Sequence, residues 1–505
     1  MKRMMRLNGV ALSAGEARDI VRYLSTAQGL APEEAAPVMY VAERRSIDEQ
    51  LPAPVEGVCN ACHAYGRAAS WRRSKEEWQL LYNMHIGYFP SSELTSFMTP
   101  PPPPGSPEPA PGTDTRQPYE KAIEYLAKTF PLQTPEWASY QTTVTDPKLT
   151  GRWLVAAYKS GDSPYYGEVT VDATANPNLF TTHTRLTAAK NGLLTTREGQ
   201  MTIYGGYAWR GRSEDPHASN DPASAKAVRE VMMLSRDQAE ASGRWIWGEY
   251  QEFGLDVKMY RATPGIKILG LDTPSIAVSS TPTVQIFGAG FPATVTAADL
   301  NFGPGVSVQS VSPVNASCLK VTLAVDKTAR PGRRDVSVAG AVLPAAYAVF
   351  DHYDYLKVLP DTAVARLGGI KLTKGYVQFE AVAYSNGPDG KPNTADDVPL
   401  GPVPATWRMT EFYGVYGDDV KFVGNINSET GLFTPAHEGP NPERRFSRNN
   451  YGDVWIEAEV NKNLPPAKVL GEKSKPITGR SYLIVTVPLY ARYDQPEVAP
   501  ESRTH

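Results

Sequence analysis

The chain has 505 residues, 21% of them charged and 41% hydrophobic, with a formal net charge of -3 at pH 7. That length exceeds one hydrophobic core and predicts about three or four domains. The near balance of charge leaves no electrostatic footprint for nucleic acid or an anionic membrane, and no stretch is long and apolar enough to read as a membrane span. Glycine (41) and proline (44) are plentiful and tyrosine (26) outnumbers phenylalanine (14), a mix suited to short strands and tight turns. Three cysteines, Cys59, Cys62 and Cys318, exclude a disulfide scaffold.

From the N-terminus, apolar residues Ala17, Ile20, Val21 and Leu24 recur at helical spacing and predict a helix over Ala14–Gly29. It leads through Tyr23-Leu24 to Gly29-Leu30-Ala31-Pro32-Glu33. A similar passage follows later, where Tyr125-Leu126 leads to Leu132-Gln133-Thr134-Pro135-Glu136. Each is a helix with a Tyr-Leu pair, then leucine, proline and glutamate, which suggests two copies of one small unit.

Between the copies stands Cys59-Asn60-Ala61-Cys62-His63. Two intervening residues let the thiols of Cys59 and Cys62 reach the two vinyl groups of a haem, and the histidine that follows lies under the iron. A zinc site would need a second pair of ligands, and the sequence offers none. The motif therefore predicts covalent haem c, with His63 as one axial ligand.

The second ligand is expected from Glu76–His85, which carries Met84 and His85 side by side. Adjacent helical side chains point about 100° apart, so only one can face the iron. His85 is preferred and Met84 is the alternative; two imidazoles would give the lower potential. The first copy lacks such a motif. Haem is attached outside the bacterial cytoplasm, yet residues 1–7 carry no leader pattern. We therefore expect a start inside a longer chain, with another haem site upstream and Met4 or Met5 either its ligand or ordinary packing. The proline-rich run Pro100–Pro111 reads as an extended linker.

From Gly151 onward the period changes to two. Gly167–Asp172, Gln200–Tyr204 and a hairpin of Arg244–Tyr250 with Leu255–Tyr260 predict an antiparallel barrel. Beyond Pro264, the strands Thr283–Phe291, Lys320–Val325 and Asp335–Val338, with the turn Phe287-Gly288-Ala289-Gly290-Phe291, read as an immunoglobulin-like sandwich of the transcription-factor and plexin type. Cys318 reads as a small buried hydrophobe within it. Tyr376–Ala383, Val454–Val460 and Tyr482–Val487 predict a C-terminal antiparallel β domain, in which Asp389–Asp397 is either a calcium loop or a solvated turn. The expected division is 1–145 cytochrome c-like and all-α, 146–263 barrel, 264–350 sandwich and 351–505 second β domain. No nucleophile elbow, phosphate loop or dinucleotide fingerprint is present.

The order of these parts, with Cys59–His63, Asn83-Met84-His85-Ile86-Gly87 and Gln28-Gly29-Leu30-Ala31-Pro32-Glu33-Glu34, resembles the alpha subunit of quinohaemoprotein amine dehydrogenase over essentially the whole chain. It departs from that pattern where the first haem's cysteines and histidine should stand. The resemblance implies assembly in the periplasm with a beta subunit and a small gamma subunit, the latter holding a tryptophan-derived quinone. Primary amines would be oxidatively deaminated there, and electrons would pass through this chain's haem to a soluble acceptor such as a small copper protein or a cytochrome c. This chain would then carry no catalytic residue for the amine chemistry. Two rival classes stand beside it: a haem-bearing extracytoplasmic binding or structural protein, and a peroxidase-like cytochrome with an open iron, against which Met84 and His85 argue.

Overall fold

A computed structural model describes residues 9–13, 15–17, 19–20, 23, 29–38, 51–60, 65–176, 179–414, 416–460 and 476–488. The chain divides into two units, the first built on Met1–Pro147 with Ile203–Ala208 and the second on Lys148–Thr202 with Trp209–Arg492. Overall it is mostly β.

In the first unit the described residues before 148 form helices and turns. Residues 15–17, 19–20 and 23 are helical, within the expected first helix. Then come α1 (Pro32–Ala35), α2 (Gly66–Ala69), α3 (Lys75–Tyr88), α4 (Pro118–Thr129) and α5 (Pro135–Gln141). Of these five, α3 and α4 exceed two turns. Ser74 caps α3 reciprocally: its hydroxyl accepts from Glu77 N–H at 3.2 Å while Glu77 carboxylate accepts from Ser74 N–H at 2.7 Å.

The two similar passages share a structural event, since Pro32 opens α1 and Pro135 opens α5, where the missing proline N–H costs no bond. They also touch. Glu34 accepts from Thr134 Oγ1 at 3.1 Å and from Arg72 Nη2 at 2.9 Å. A Cβ on Gly29 would come 2.5 Å from the Trp137 ring, so this close approach needs glycine.

The second unit begins with eight strands: β1 (Gly151–Lys159), β2 (Pro164–Ala173), β3 (Leu179–Ala188), β4 (Leu194–Tyr204), β5 (Ala208–Glu214), β6 (Ala227–Leu234), β7 (Glu240–Trp247) and β8 (Phe253–Arg261). They run in sequence order and close when β8 pairs antiparallel with β1. The register Glu230↔Trp245 and Thr182↔Gly199 assigns alternate residues to the inside. Trp153, Trp209 and Trp245 fill it, each at most 1% exposed. Among them sits Glu230, whose carboxylate accepts from Trp209 Nε1 and Ser213 Oγ, both at 2.8 Å.

Burial holds the Glu230 carboxyl above the usual carboxylate range, and its two donors and Arg197 only partly oppose this. A pKa raised in the fold gives stability that is complete below the unfolded value and is lost as pH rises through the folded one. Melting temperature should therefore fall as pH rises above the ordinary glutamate range. Glu230→Gln should flatten that fall, and scanning calorimetry across pH would expose an unchanged slope if the assignment is wrong.

After the barrel come two four-stranded sheets sharing one core. The first has the order β10 (Ser275–Ala277), β16 (Ala341–Phe350), β15 (Gly332–Val338) and β12 (Leu300–Asn301). Its partner runs β13 (Val306–Asn315), β14 (Cys318–Val325), β11 (Thr283–Ala289) and β9 (Lys267–Leu271). Ile286, Leu319, Val321, Leu323, Val336 and Val349 of both sheets are fully buried between them. Cys318 is 7% exposed and packs beside Phe287 and Tyr166.

The last part corrects the expectation of one wholly antiparallel domain. Its described residues form three sheets, and β18 (Thr362–Arg366) pairs with β26 (Thr478–Thr486) in parallel. Strands so distant in sequence have no hairpin to impose antiparallel pairing. The expected strand Tyr376–Ala383 is also divided. Val377–Gln378 (β19) pairs with β24 (Leu432–Pro435), whereas Glu380–Ser385 (β20) pairs with β17 (Tyr355–Leu359). In the loop Asp389–Asp397, Asp397 accepts from Tyr355 Oη of β17 at 2.5 Å and from Thr394 N–H at 3.0 Å.

Candidate haem-binding site

Cys59 ends a tight turn in which its N–H donates to Val55 carbonyl at 2.9 Å and Gly57 N–H donates to Asn60 Oδ1 at 2.8 Å. Its side chain packs against a core of Val55, Trp78, Ala122, Ile123 and Leu126, from the turn, α3 and α4. Burial pushes the Cys59 thiol up to about 12, so it stays protonated in this apolar setting. Cys62 and His63 lie outside the described residues, as do Met4 and Met5.

Helix α3 places Met84 and His85 in different surroundings. Trp78 and His85 are seven residues apart, so they share one face, on which Leu81 and Tyr82 also pack toward the core. Met84 is turned away and is 48% exposed, whereas His85 is half-buried. His85 Nδ1 donates to Leu81 carbonyl at 2.8 Å. A carbonyl can only accept, so the hydrogen sits on Nδ1 and the Nε2 lone pair is left for a metal; ligating histidines are commonly oriented in this way. Phe97 meets the His85 ring edge-on at 5.9 Å and 88°, which further fixes its plane.

These residues fit a haem. The half-buried thiol, the oriented imidazole and the apolar wall are the surroundings it needs, and Trp78 Nε1 is buried with no hydrogen-bond partner in a residue 3% exposed. The sequence reading missed Trp78; its place one heptad before His85 was the available signal. Elsewhere among the described residues, no group of three or more His, Cys, Asp or Glu could hold a metal ion, and no helix is long and apolar enough to cross a membrane.

Comparison with protein families decides the relationship. Residues 1–99 match "Quinohemoprotein amine dehydrogenase A, alpha subunit, haem binding". Residues 146–262, 275–351 and 356–498 match domains II, III and IV of the same alpha subunit. The chain belongs to the quinohaemoprotein amine dehydrogenase alpha subunit family. Membership supports a haem cofactor, places the chain in an oxidoreductase complex and implies further subunits.

No curated protein matches the chain. Among solved structures it is similar to a redesigned beta barrel at 12% identity, covering 25% of this chain and 96% of that one with a TM-score of 0.19. It is also similar to the teleost fish polymeric Ig receptor ectodomain at 11% identity, covering 45% and 100% with a TM-score of 0.20.

Proposed function

We propose that this chain is the haem c-bearing electron-transfer subunit of a periplasmic amine dehydrogenase complex. The observation that carries the reading is His85, held by the carbonyl of Leu81, a residue that packs against the same core as Cys59. In this reading Cys59 and Cys62 would anchor the group through thioethers, and His63 and His85 would be the ligands of its iron. Haem bound in this way supplies a one-electron carrier. Leu81 carbonyl fixes the His85 tautomer, and Val55, Trp78 and Leu126 exclude water from the buried side. Residues 1–145 then form a cytochrome c-like domain. The barrel (146–263), an immunoglobulin-like spacer (264–350) and the last β domain (351–505) form the body on which partner subunits dock.

The tryptophan-derived quinone and the amine chemistry belong to the gamma subunit in this scheme, which also includes a beta subunit. A soluble copper protein or cytochrome c takes the electrons. Purification from the native periplasm tests the assignment against the rival of a binding protein: co-purification of a quinone-bearing subunit supports it, and a haem-bearing chain that always purifies alone refutes it.

The ligand assignment makes a spectroscopic prediction. The oxidised protein should be low-spin and should lack the weak near-infrared charge-transfer band of sulfur-ligated ferric haem. Met84→Leu should leave the spectrum unchanged, while His85→Ala should convert it to high spin. A near-infrared band that Met84→Leu abolishes and His85→Ala preserves would reverse the choice.

A further inference from the structure

Between β24 and β25 (Gly452–Val460) the chain closes a loop on itself: Pro440 and Asn449 are bridged, and Asn441 N–H donates to Arg448 carbonyl at 3.1 Å. Compact surface loops with joined ends are frequently functional. The Arg444 side chain, wholly buried, donates to Asp418 at 3.0 Å and Asp419 at 2.5 Å, and Arg448 also reaches Asp418. These acids are thus engaged on the inner side of the loop. Its tip is exposed, with Phe446 at 78% and Arg445 beside it. That tip is also strained, because Phe446 has φ 63° and Ser447 has φ 50°. A bulky residue is uncommon in this left-handed region, and glycine or asparagine would make the same turn at less cost. Phenylalanine here adds an apolar ring in water to a strained backbone, and nothing in the fold of this chain gains from either.

A second ring completes the patch. Tyr416, 40% exposed, meets Phe446 edge-on at 6.4 Å and 72°. The Arg445 guanidinium carbon lies 5.0 Å from the centre of each ring. The ion pairs of this region join Arg444 and Arg448 to Asp418 and Asp419, and Lys421 to Glu443 at 3.7 Å; none among the described residues involves Arg445. The two rings orient the guanidinium while its charge stays unneutralised, and a planar guanidinium is matched by a carboxylate. With the acids turned inward and the unpaired cation outward, the counter-surface that fits is acidic. Arginine and tyrosine are enriched where protein interfaces concentrate their binding energy, and a loop already held by Arg444 loses little entropy on docking.

We propose that the tip formed by Tyr416, Arg445 and Phe446 docks another subunit of the complex, on a surface that offers a carboxylate to Arg445 beside an apolar recess for the Phe446 ring. The inference rests on the reading of this chain as one subunit of an amine dehydrogenase complex. Strain at Phe446 is then the cost of holding the ring outward before the partner arrives.

The test uses the intact complex from the native periplasm, with the full chain as wild type, Arg445→Gln, Arg445→Lys and Phe446→Asn. Exchange of the chain against an excess of isotope-labelled free chain, followed by native mass spectrometry at low and high salt, gives the dissociation rate. Phe446→Asn should dissociate about tenfold faster at both salt concentrations. Arg445→Gln should dissociate faster and lose part of the salt dependence, with Arg445→Lys nearer wild type. The isolated Phe446→Asn chain should melt no lower than the isolated wild type, because asparagine tolerates the left-handed turn. Wild-type exchange in both Arg445→Gln and Phe446→Asn would overturn the proposal. A lowered melting temperature for Phe446→Asn would also overturn it, and would assign the ring to this chain's own fold. Self-association of the isolated wild-type chain that Phe446→Asn abolishes would give the patch to a second copy instead, against the proposal. A wild-type chain that purifies without other subunits would bring down the parent reading, and this inference with it.

Discussion

Replacing Cys59 and Cys62 together with alanine should abolish haem colour on a denaturing gel, a complete loss and not a graded one. Thioethers survive denaturation, whereas a haem held only by its iron ligands is released with the fold. The single variant Cys59→Ala should retain one thioether, stain more weakly and show an altered visible spectrum from the intact vinyl. Cys59 packs against the core that contains Val55 and Trp78, so its loss also removes a side chain from that core. Colour that persists in the double variant would move the attachment site elsewhere and remove the basis for His63 and His85 as ligands.

The largest stability effect is expected at Arg444, far in sequence from the haem motif. Its side chain is wholly buried, and its guanidinium donates to Asp418 Oδ1 at 3.0 Å, Asp419 Oδ1 at 2.5 Å and the carbonyls of Asn449 and Tyr451 at 3.1 and 2.7 Å. One planar fork thus ties together a loop that has little regular structure. Asp419 is only 9% exposed, so Arg444→Ala would leave its carboxylate buried with half its charge compensation gone. Removing one partner of such a pair costs about 3–5 kcal/mol. Chemical denaturation of the variant should show that loss. Arg444→Lys should recover only part of it, because an ammonium cannot bridge the same four acceptors. A loss below about 1 kcal/mol would mean the loop is held by other contacts.

Much of the architecture is legible in the sequence, and the gaps have physical causes. Alternation in Gly167–Asp172 and Arg244–Tyr260 yields strands that the structure places in β2, β7 and β8, because half-buried antiparallel strands write their faces into the chain. The same alternation does not name a partner. That is why the parallel β18–β26 pair and the passage of one strand between two sheets at Phe379 escape it. Phe379 N–H bonds to Gly431 carbonyl at 2.9 Å, a contact made by a residue far along the chain.

The site divides in a similar way. CxxCH is a local signal because both thiols must reach one ring, so five consecutive residues announce it. The choice between Met84 and His85 depends on which face α3 buries, and that is set by packing against α4 and the turn before Cys59. Buried polar groups such as Glu230, Arg444 and Trp78 are the least legible, since their meaning lies wholly in the neighbours that folding brings to them.

Electrons should enter this chain from a partner subunit, and the chain itself should do no amine chemistry. Stopped-flow absorbance of the haem α band measures this directly. The isolated chain and the intact complex are each mixed anaerobically with a primary amine. The account predicts rapid haem reduction in the complex and none in the isolated chain, with the haem of both samples fully reducible by dithionite. Amine-driven reduction in the isolated chain at a comparable rate would contradict it.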